Sequence, residues 1–480
     1  MPTTVHPLML ATDRPPVDVA QVLSPWDHSV VGEVERAGRA HVEDALAVAE
    51  GLFRNRSAWI PKGERAEILR RAAALIAERR EGLAREAARE GGKPLVDSLV
   101  EVDRSVNSVE LCAAAIENER GTEIPMGLNA ASAGRLAMTT HEPIGPVVAI
   151  SAFNHPVNLI AHQVGPAVAA GCPVVVKPAE DTPISCMRFL GILHEAGLPP
   201  EWAQGLVATG HDVAQALATD PRVAFLTFIG SSRVGWMLRS AIAPGARCAL
   251  EHGGAAPVLV TASADLDDLV PRIAKGGLYH AGQVCVSVQR VFADRAIADE
   301  LSTRLAGAAA TAVVGDPADA TTQIGPLIRS REVTRVDEWV TEARDGGAEI
   351  LTGGAPLGET TYAPTIIRDV PADSRLATHE VFGPVIGVEA YDAIEQAVDR
   401  ANSVPFPFQA SVFGSDIDEV LLAARRFDAA SVLVNDHTAF RVDWMPFAGL
   451  REAGLGVGGV PYTFADMRRE KLIVLRSDSL

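Results

Sequence analysis

From Pro146 onward the chain alternates short apolar runs with helical stretches, and this alternation constrains the fold more than any other feature. Residues 147–153 read as a buried strand, 159–170 as a helix and 173–177 as the next strand. A helix over about 184–196 follows, with Gly197 placed to close it. Residues 206–208 and 223–229 read as further strands, the second running into Gly230-Ser231-Ser232 and an amphipathic helix. Strands this short and uniformly apolar are buried on both faces, which calls for a parallel sheet covered by helices. A second run of the same texture spans about 256–434, with strand candidates at 257–261, 290–293, 348–351 and 385–389. The predicted fold class is α/β, with two doubly wound domains.

The flanks differ. Residues 42–119 are rich in Ala, Leu, Glu and Arg, with no proline between Pro61 and Pro94, and read as helical. Residues 121–142 are small, polar and glycine-containing, in keeping with a strand excursion from the main body. Residues 471–476 form a short apolar strand. Such a strand needs a sheet edge to pair with, and an edge on a second subunit is the economical choice, so a homo-oligomer is expected.

A chain of 480 residues has room for two or three domains. Its formal charge of -18 argues against nucleic acid or an anionic membrane surface as partner, since both take clustered Lys and Arg. Residues 1–20 carry prolines and charges where a signal peptide would be apolar, and no run approaches the ~20 apolar residues that cross a bilayer. Cys112, Cys172, Cys186, Cys248 and Cys285 form no CxxC and no zinc-spaced set with histidine. A cytoplasmic protein without metal or disulfides is expected.

Chemistry-bearing residues stand beside glycines and at strand ends. Cys285 lies in Gly282-Gln283-Val284-Cys285, and Glu251 follows an apolar strand and precedes Gly253-Gly254. A thiol so placed is either a core cysteine or a nucleophile, and the acid either a solvated loop carboxylate or a base. Asn154 ends the strand at 147–153, as a turn former or as an amide donor to a developing oxyanion. Lys177 and Glu180 lie past the carboxyl end of a parallel strand, the edge where such sheets bind ligands. Gly230 and Ser231 open a helix whose free N–H groups suit a pyrophosphate, although no GxGxxG is present. Glu380 sits in His379-Glu380-Val381-Phe382-Gly383-Pro384.

The ordered set Asn154, Lys177, Gly230-Ser231, Glu251-x-Gly-Gly, Gly-Gln-x-Cys285, Glu380-x-Phe-Gly-Pro and Pro446-Phe447-Ala448-Gly449 resembles the aldehyde dehydrogenase superfamily across nearly the whole chain. The stretch from Gln283 to Arg290 is most similar to the lactaldehyde dehydrogenase-like branch, with phosphonoacetaldehyde and non-phosphorylating glyceraldehyde-3-phosphate dehydrogenases more distant. The resemblance implies an atypical Rossmann-type NAD(P)-binding domain (1–120 and 143–250), a catalytic domain (251–445) and a β oligomerisation arm (121–142 and 463–480). It implies Cys285 as nucleophile, Glu251 as general base, and Asn154 with the Cys285 N–H as oxyanion hole. Lys177 and Glu180 would contact the adenosine ribose, Gly230 and Ser231 the pyrophosphate, and Glu380 the nicotinamide ribose, with Phe382 and Phe153 beside the ring. Three departures stand out: Phe153 replaces the usual Trp, Ala255 a frequent lysine, and Ile229 the usual Thr before Gly230. His252, beside Glu251 in sequence, is placed to alter the base's pKa if it is also beside it in space.

The implied reaction is NAD(P)-dependent oxidation of a small-molecule aldehyde to a carboxylic acid through a cysteine thiohemiacetal and thioester. A glutamate-activated water then hydrolyses the thioester. Glu180 favours NAD over NADP, because a carboxylate there repels a 2′-phosphate. Relatives that pass the acyl group to coenzyme A tend to lack this glutamate, and a non-catalytic binding homologue would have lost Cys285 or Asn154. Val284 stands where phosphate- and phosphonate-using relatives tend to carry Arg. Arg441, Phe447 and Arg104 are substrate-contact candidates, with Trp444 and Phe153 as further aromatic walls. A salt bridge from Arg441 to Asp443 or a neighbouring acid is the competing reading.

Overall fold

A six-stranded sheet positions one half of the site. In the computed structural model, which describes residues 4–480, it runs Ala203–Gly205, Val174–Lys177, Val147–Ile150, Phe225–Ile229, Arg247–Glu251 and Gly454–Leu455. All neighbours are parallel except the last pair. The chain lays down Val147–Ile150, works outward to Ala203–Gly205, then crosses back to Phe225–Ile229 on the other side. Strand order therefore reverses beside Val147–Ile150, and a crevice opens at the carboxyl ends at such a point. Val147, Val148, Ala149, Val174, Val175 and Val176 have no exposed surface, which explains why these strands show no alternation. The helix Asn158–Ala170 is buried along its whole length.

A seven-stranded sheet positions the other half. Its order is Glu349–Thr352, Thr365–Arg368, Val385–Tyr391, Val288–Asp294, Ala256–Val260, Gln409–Phe413 and Ser431–Val434, parallel except at the Glu349–Thr352 edge. Arg247–Glu251 ends one sheet and Ala256–Val260 begins the other. Only residues 252–255 separate them, so a carboxyl edge of the first sheet faces amino ends of the second.

Two further sheets complete the chain. The helices Arg39–Arg54, Lys62–Glu78, Arg80–Gly91 and Leu95–Glu117 fill the stretch read as helical. They are preceded by strands that the sequence reading did not include: Val5–His6, Asp18–Leu23 and Val30–Ala37, joined by Val207–Ala208. Val19, Val22 and Leu23 are apolar but only Val22 is buried, so Asp18–Leu23 shows no clean alternation. The last sheet comprises Arg468–Arg476, Arg135–Pro143 and Glu123–Ile124. Here one expectation is corrected. The terminal strand finds its partner within its own chain, pairing antiparallel from Arg468↔Pro143 to Arg476↔Arg135. Residues 121–142 had already supplied an edge, so pairing needs no second subunit. Residues 1–3 of the stretch read as lacking a signal peptide lie outside the described residues. No described helix is long and apolar enough to cross a membrane.

Truncation after Met467 removes the long partner of Arg135–Pro143. Amide hydrogen exchange over 135–143 is expected to accelerate at least about tenfold while 147–150 stays protected; unchanged exchange over 135–143 would contradict the pairing.

Candidate active site

The crevice is a cavity of about 820 Å³. Cys285, Glu251, Asn154, Lys177, Glu180, Gly230, Ser231, Glu380, Phe382, Phe153, Arg441, Phe447 and Arg104 all line it. Lys177 and Glu251 end, and Asn154 and Ser231 follow, four adjacent strands of the six-stranded sheet, so the order reversal gathers them. Cys285 and Glu380 precede Val288–Asp294 and Val385–Tyr391, neighbouring strands of the other sheet.

The loop that carries Cys285 is held in an unusual shape. His280, Ala281 and Gly282 have φ of 50°, 53° and 69°, three successive left-handed residues. Two of them are not glycine, a strain that persists only where surrounding packing enforces it. A Cβ at Gly282 would collide with the Gly383 carbonyl, so this glycine lets the two loops meet. Gln283 locks the turn: its Nε2 donates to the carbonyls of His280 and Pro326, each at 3.2 Å. Its Oε1 accepts from the Ile328 N–H at 2.9 Å. Asn154 Nδ2 donates to the Gln283 carbonyl at 2.9 Å, which fixes the amide two residues from Cys285. The Gly254 N–H donates to the Cys285 carbonyl at 3.1 Å, tying the Glu251 loop to the same turn.

Charge is balanced tightly here. Burial raises the Cys285 thiol well above its ordinary value, Glu251 raises it further, and Arg441 opposes both. Glu251 is also pushed up by burial, against the pull of Arg441 and Arg104. His252 plays no part in that balance. Its Nδ1 pairs with the Glu452 carbonyl at 3.0 Å, and its ring lies edge-on between Phe228 and Trp236.

The remaining wall suits a dinucleotide. Ser231 caps the helix Ser232–Ala241 without spending its side chain on a capping bond, leaving hydroxyl and helix N–H groups to an anion. Lys177 Nζ lies 3.9 Å from Glu180 Oε1. Glu380 is pressed against Gly253, where a Cβ would overlap its carboxylate, and its buried Oε1 has no partner. Burial pushes the Glu380 carboxyl up to about 8. Phe382 and Phe153 meet edge-on at 6.0 Å. An orphaned buried carboxylate oxygen, an uncommitted helix N-terminus and an aromatic wall fit a nicotinamide dinucleotide. No group of three or more His, Cys, Asp or Glu among the described residues is arranged to hold a metal.

At the opposite end, the reading of Arg441 against Asp443 is corrected. Asp443 is taken by Arg104 Nε and Nη2 (3.2 and 2.6 Å), by His162 Nε2 (2.8 Å) and by Asn158 Nδ2 (3.2 Å). The nearest acid to Arg441 is Glu251, with Nη1 3.9 Å from Oε1. The Arg441 guanidinium covers the Phe447 ring at 3.6 Å, and its buried Nε has no partner. Trp444 is 54% exposed and does not line the cavity, so that aromatic wall is withdrawn. Tyr279 and Arg335 also line the cavity and escaped the sequence reading. Arg335 stands on an ordinary charged helix, and only folding brings its charge toward Glu380.

The model of the aldehyde dehydrogenase family matches residues 13–473. The chain is 36% identical over 455 residues to a 3-sulfolactaldehyde dehydrogenase of Priestia aryabhattai, covering 95% of this chain and 94% of that one. It superposes on aldehyde dehydrogenase 21 of Physcomitrella patens, solved with its product succinate, at a TM-score of 0.94, 31% identity and 99% coverage of both chains. It also superposes on the glyceraldehyde-3-phosphate dehydrogenase GapN of Methanocaldococcus jannaschii, solved with NADP. There the TM-score is 0.91 and the identity 32%, covering 97% of this chain and 100% of that one.

Two expectations follow from the charges. Glu251 raises the Cys285 pKa, so Glu251→Gln should lower it and speed iodoacetamide alkylation of Cys285 at pH 8, by up to about tenfold for one unit. Slower alkylation would mean that the acid instead deprotonates the thiol. The Glu380 carboxyl keeps its proton to about 8 when folded and ionises near 4.5 when unfolded. Stability is therefore lost as pH rises between those values, by about 1.4 kcal/mol per unit. Glu380→Gln should raise Tm at pH 8 and leave it unchanged at pH 4.5; no rise at pH 8 contradicts a carboxyl whose burial outweighs the pull of Arg335.

Proposed function

The chain belongs to the aldehyde dehydrogenase family, and on that premise we propose that Cys285, Glu251 and Asn154 carry out its NAD(P)-dependent aldehyde oxidation. The observation that carries this reading is their convergence on one cavity, with the Asn154 amide anchored beside the thiol's own turn. The Cys285 sulfur, as thiolate, adds to the aldehyde carbon, while Asn154 Nδ2 and the Cys285 N–H receive the oxyanion. A nicotinamide held beside Phe382 and Phe153 would supply the hydride acceptor for this thiohemiacetal. A thioester on Cys285 remains. Glu251, its pKa raised by burial, takes a proton from water, and the resulting attack releases the carboxylic acid and restores the thiol. Glu251 supports hydrolysis over transfer to coenzyme A.

Lys177 and Glu180 are assigned to the adenosine ribose, Gly230 and Ser231 to the pyrophosphate, and Glu380 to the nicotinamide ribose, with Phe382 and Phe153 beside the ring. NAD is the preferred cofactor, because Glu180 beside Lys177 repels a 2′-phosphate. Residues 1–120 and 143–250 are assigned to cofactor binding, 251–445 to catalysis, and 121–142 with 463–480 to an oligomerisation arm. Leu472, Ile473, Val474 and Leu475, exposed on the outer strand of that sheet, support a homodimer or homotetramer. Five free cysteines and the acidic charge support a cytoplasmic setting.

The substrate assigned is a small aldehyde bearing a carboxylate or sulfonate. Arg441 is a buried cation with an unpartnered Nε on the cavity wall, and such a group is stabilised by an incoming anion. The 3-sulfolactaldehyde and succinate in the names of the two relatives are of that chemistry. Arg104, tied to Asp443, and Phe447, beneath the guanidinium, complete the pocket.

NADH formation followed at 340 nm tests this with succinic semialdehyde, lactaldehyde, glyceraldehyde-3-phosphate and propanal, each with NAD and NADP. Cys285→Ala should abolish every activity. Arg441→Leu should raise KM for succinic semialdehyde about tenfold or more and leave that for propanal within about twofold. Equal effects on both aldehydes would refute anion recognition. Dependence of turnover on added coenzyme A would refute hydrolysis.

A further inference from the structure

Asn154 stands in a stretch with no regular structure, residues 151–157, between the strand Val147–Ile150 and the helix Asn158–Ala170. A side chain on such a segment is poorly aimed unless something outside the segment fixes the backbone. Two charged residues from neighbouring chain do so. Lys93 Nζ donates to the Asn154 carbonyl at 3.1 Å. Glu101 Oε1 accepts from the N–H groups of Val157 and Asn158 at 2.8 and 2.9 Å. These are the first N–H groups of a helix whose own N-cap residue, Val157, offers no side-chain cap. Lys93 Nζ also bonds Glu101 Oε2, joining the two anchors into one unit. Lys93 is 1% exposed, Glu101 2% and Asn154 6%.

We propose that the buried Lys93–Glu101 pair is a positioning device for Asn154, holding the segment at Asn154 itself and at its junction with the helix so that its amide meets the oxyanion. Neither residue lines the cavity, so both act through the backbone of 154–158. A capping carboxylate alone needs no lysine, and a neutral acceptor would satisfy the same two N–H groups. What Lys93 adds is a bond to the carbonyl of Asn154 itself. Fixing an oxyanion donor matters because its contribution to rate depends on being aimed before the reaction. Neither anchor bonds Phe153, the one residue of this segment assigned to the nicotinamide ring, so the effect is assigned to the acyl-forming step.

The inference rests on the oxyanion assignment of Asn154, and a mutant cycle separates the two. Single-turnover NADH formation is measured for Asn154→Ala, Lys93→Met, Lys93→Arg, Glu101→Gln and the double variant Lys93→Met/Asn154→Ala, together with NAD affinity. Asn154→Ala should slow the burst about 10²-fold. Lys93→Met should slow it at least tenfold, leave the NAD Kd within about twofold, and recover in part in Lys93→Arg. The double variant should be no slower than Asn154→Ala within about threefold, because removing an aim is harmless once the donor is gone. Multiplying losses, or an unimpaired burst in Lys93→Met, overturns the proposal. If Lys93→Met does not fold, Glu101→Gln combined with Asn154→Ala gives the same non-additivity test. An unimpaired burst in Asn154→Ala alone would instead overturn the oxyanion assignment.

Discussion

The site exists because the chain crosses from the carboxyl edge of one parallel sheet to the amino edge of another within residues 252–255. That short span leaves Glu251 at the end of one sheet and holds the Cys285 turn against it through the Gly254 N–H. Strand-order reversal beside Val147–Ile150 supplies the opening, and the second sheet closes it. A glycine at 253 is required because Glu380 packs against that backbone. One stretch of four residues thus brings base, nucleophile and cofactor wall together.

The geometry has a cost. Cys285, Glu251 and Glu380 are all held where their charged forms are disfavoured. Arg441 is likewise destabilised by burial, offset chiefly by Glu251 and further by Asp443. The turn before Cys285 adds three left-handed residues. Strain and uncompensated charge concentrate at one place, while the strands beneath are uniformly apolar and buried. Such an arrangement trades stability for a thiol, a carboxyl and a guanidinium whose charge states respond to an incoming ligand.

Much of this was legible in the sequence, for a physical reason. Parallel strands buried on both faces leave continuous apolar runs, and the residues that do chemistry stand at their carboxyl ends, as Glu251, Asn154 and Ser231 do. Cys285 and Glu380 precede strands with Gly282 and Gly383 nearby, and the contact between those two loops is made only by folding. The Lys93–Glu101 pair left no mark, since Gly92-Lys93-Pro94 looks like any helix start and its contacts are made only by folding. Of the partners read for Arg441, Asp443, two residues away, turns toward Arg104 and His162, and the acid within reach is Glu251. The terminal strand was sent to another subunit because period alone does not reveal which edge is free.

The central claim, that Cys285 carries the acyl group and Glu251 releases it, is tested most directly by trapping that group. Glu251→Gln is mixed with NAD and succinic semialdehyde, quenched in acid after one burst, and examined by peptide mass spectrometry. The account predicts one NADH per active site and a succinyl group on the peptide that contains Cys285. Continued turnover without an adduct, or an acyl group on any other residue, would contradict it.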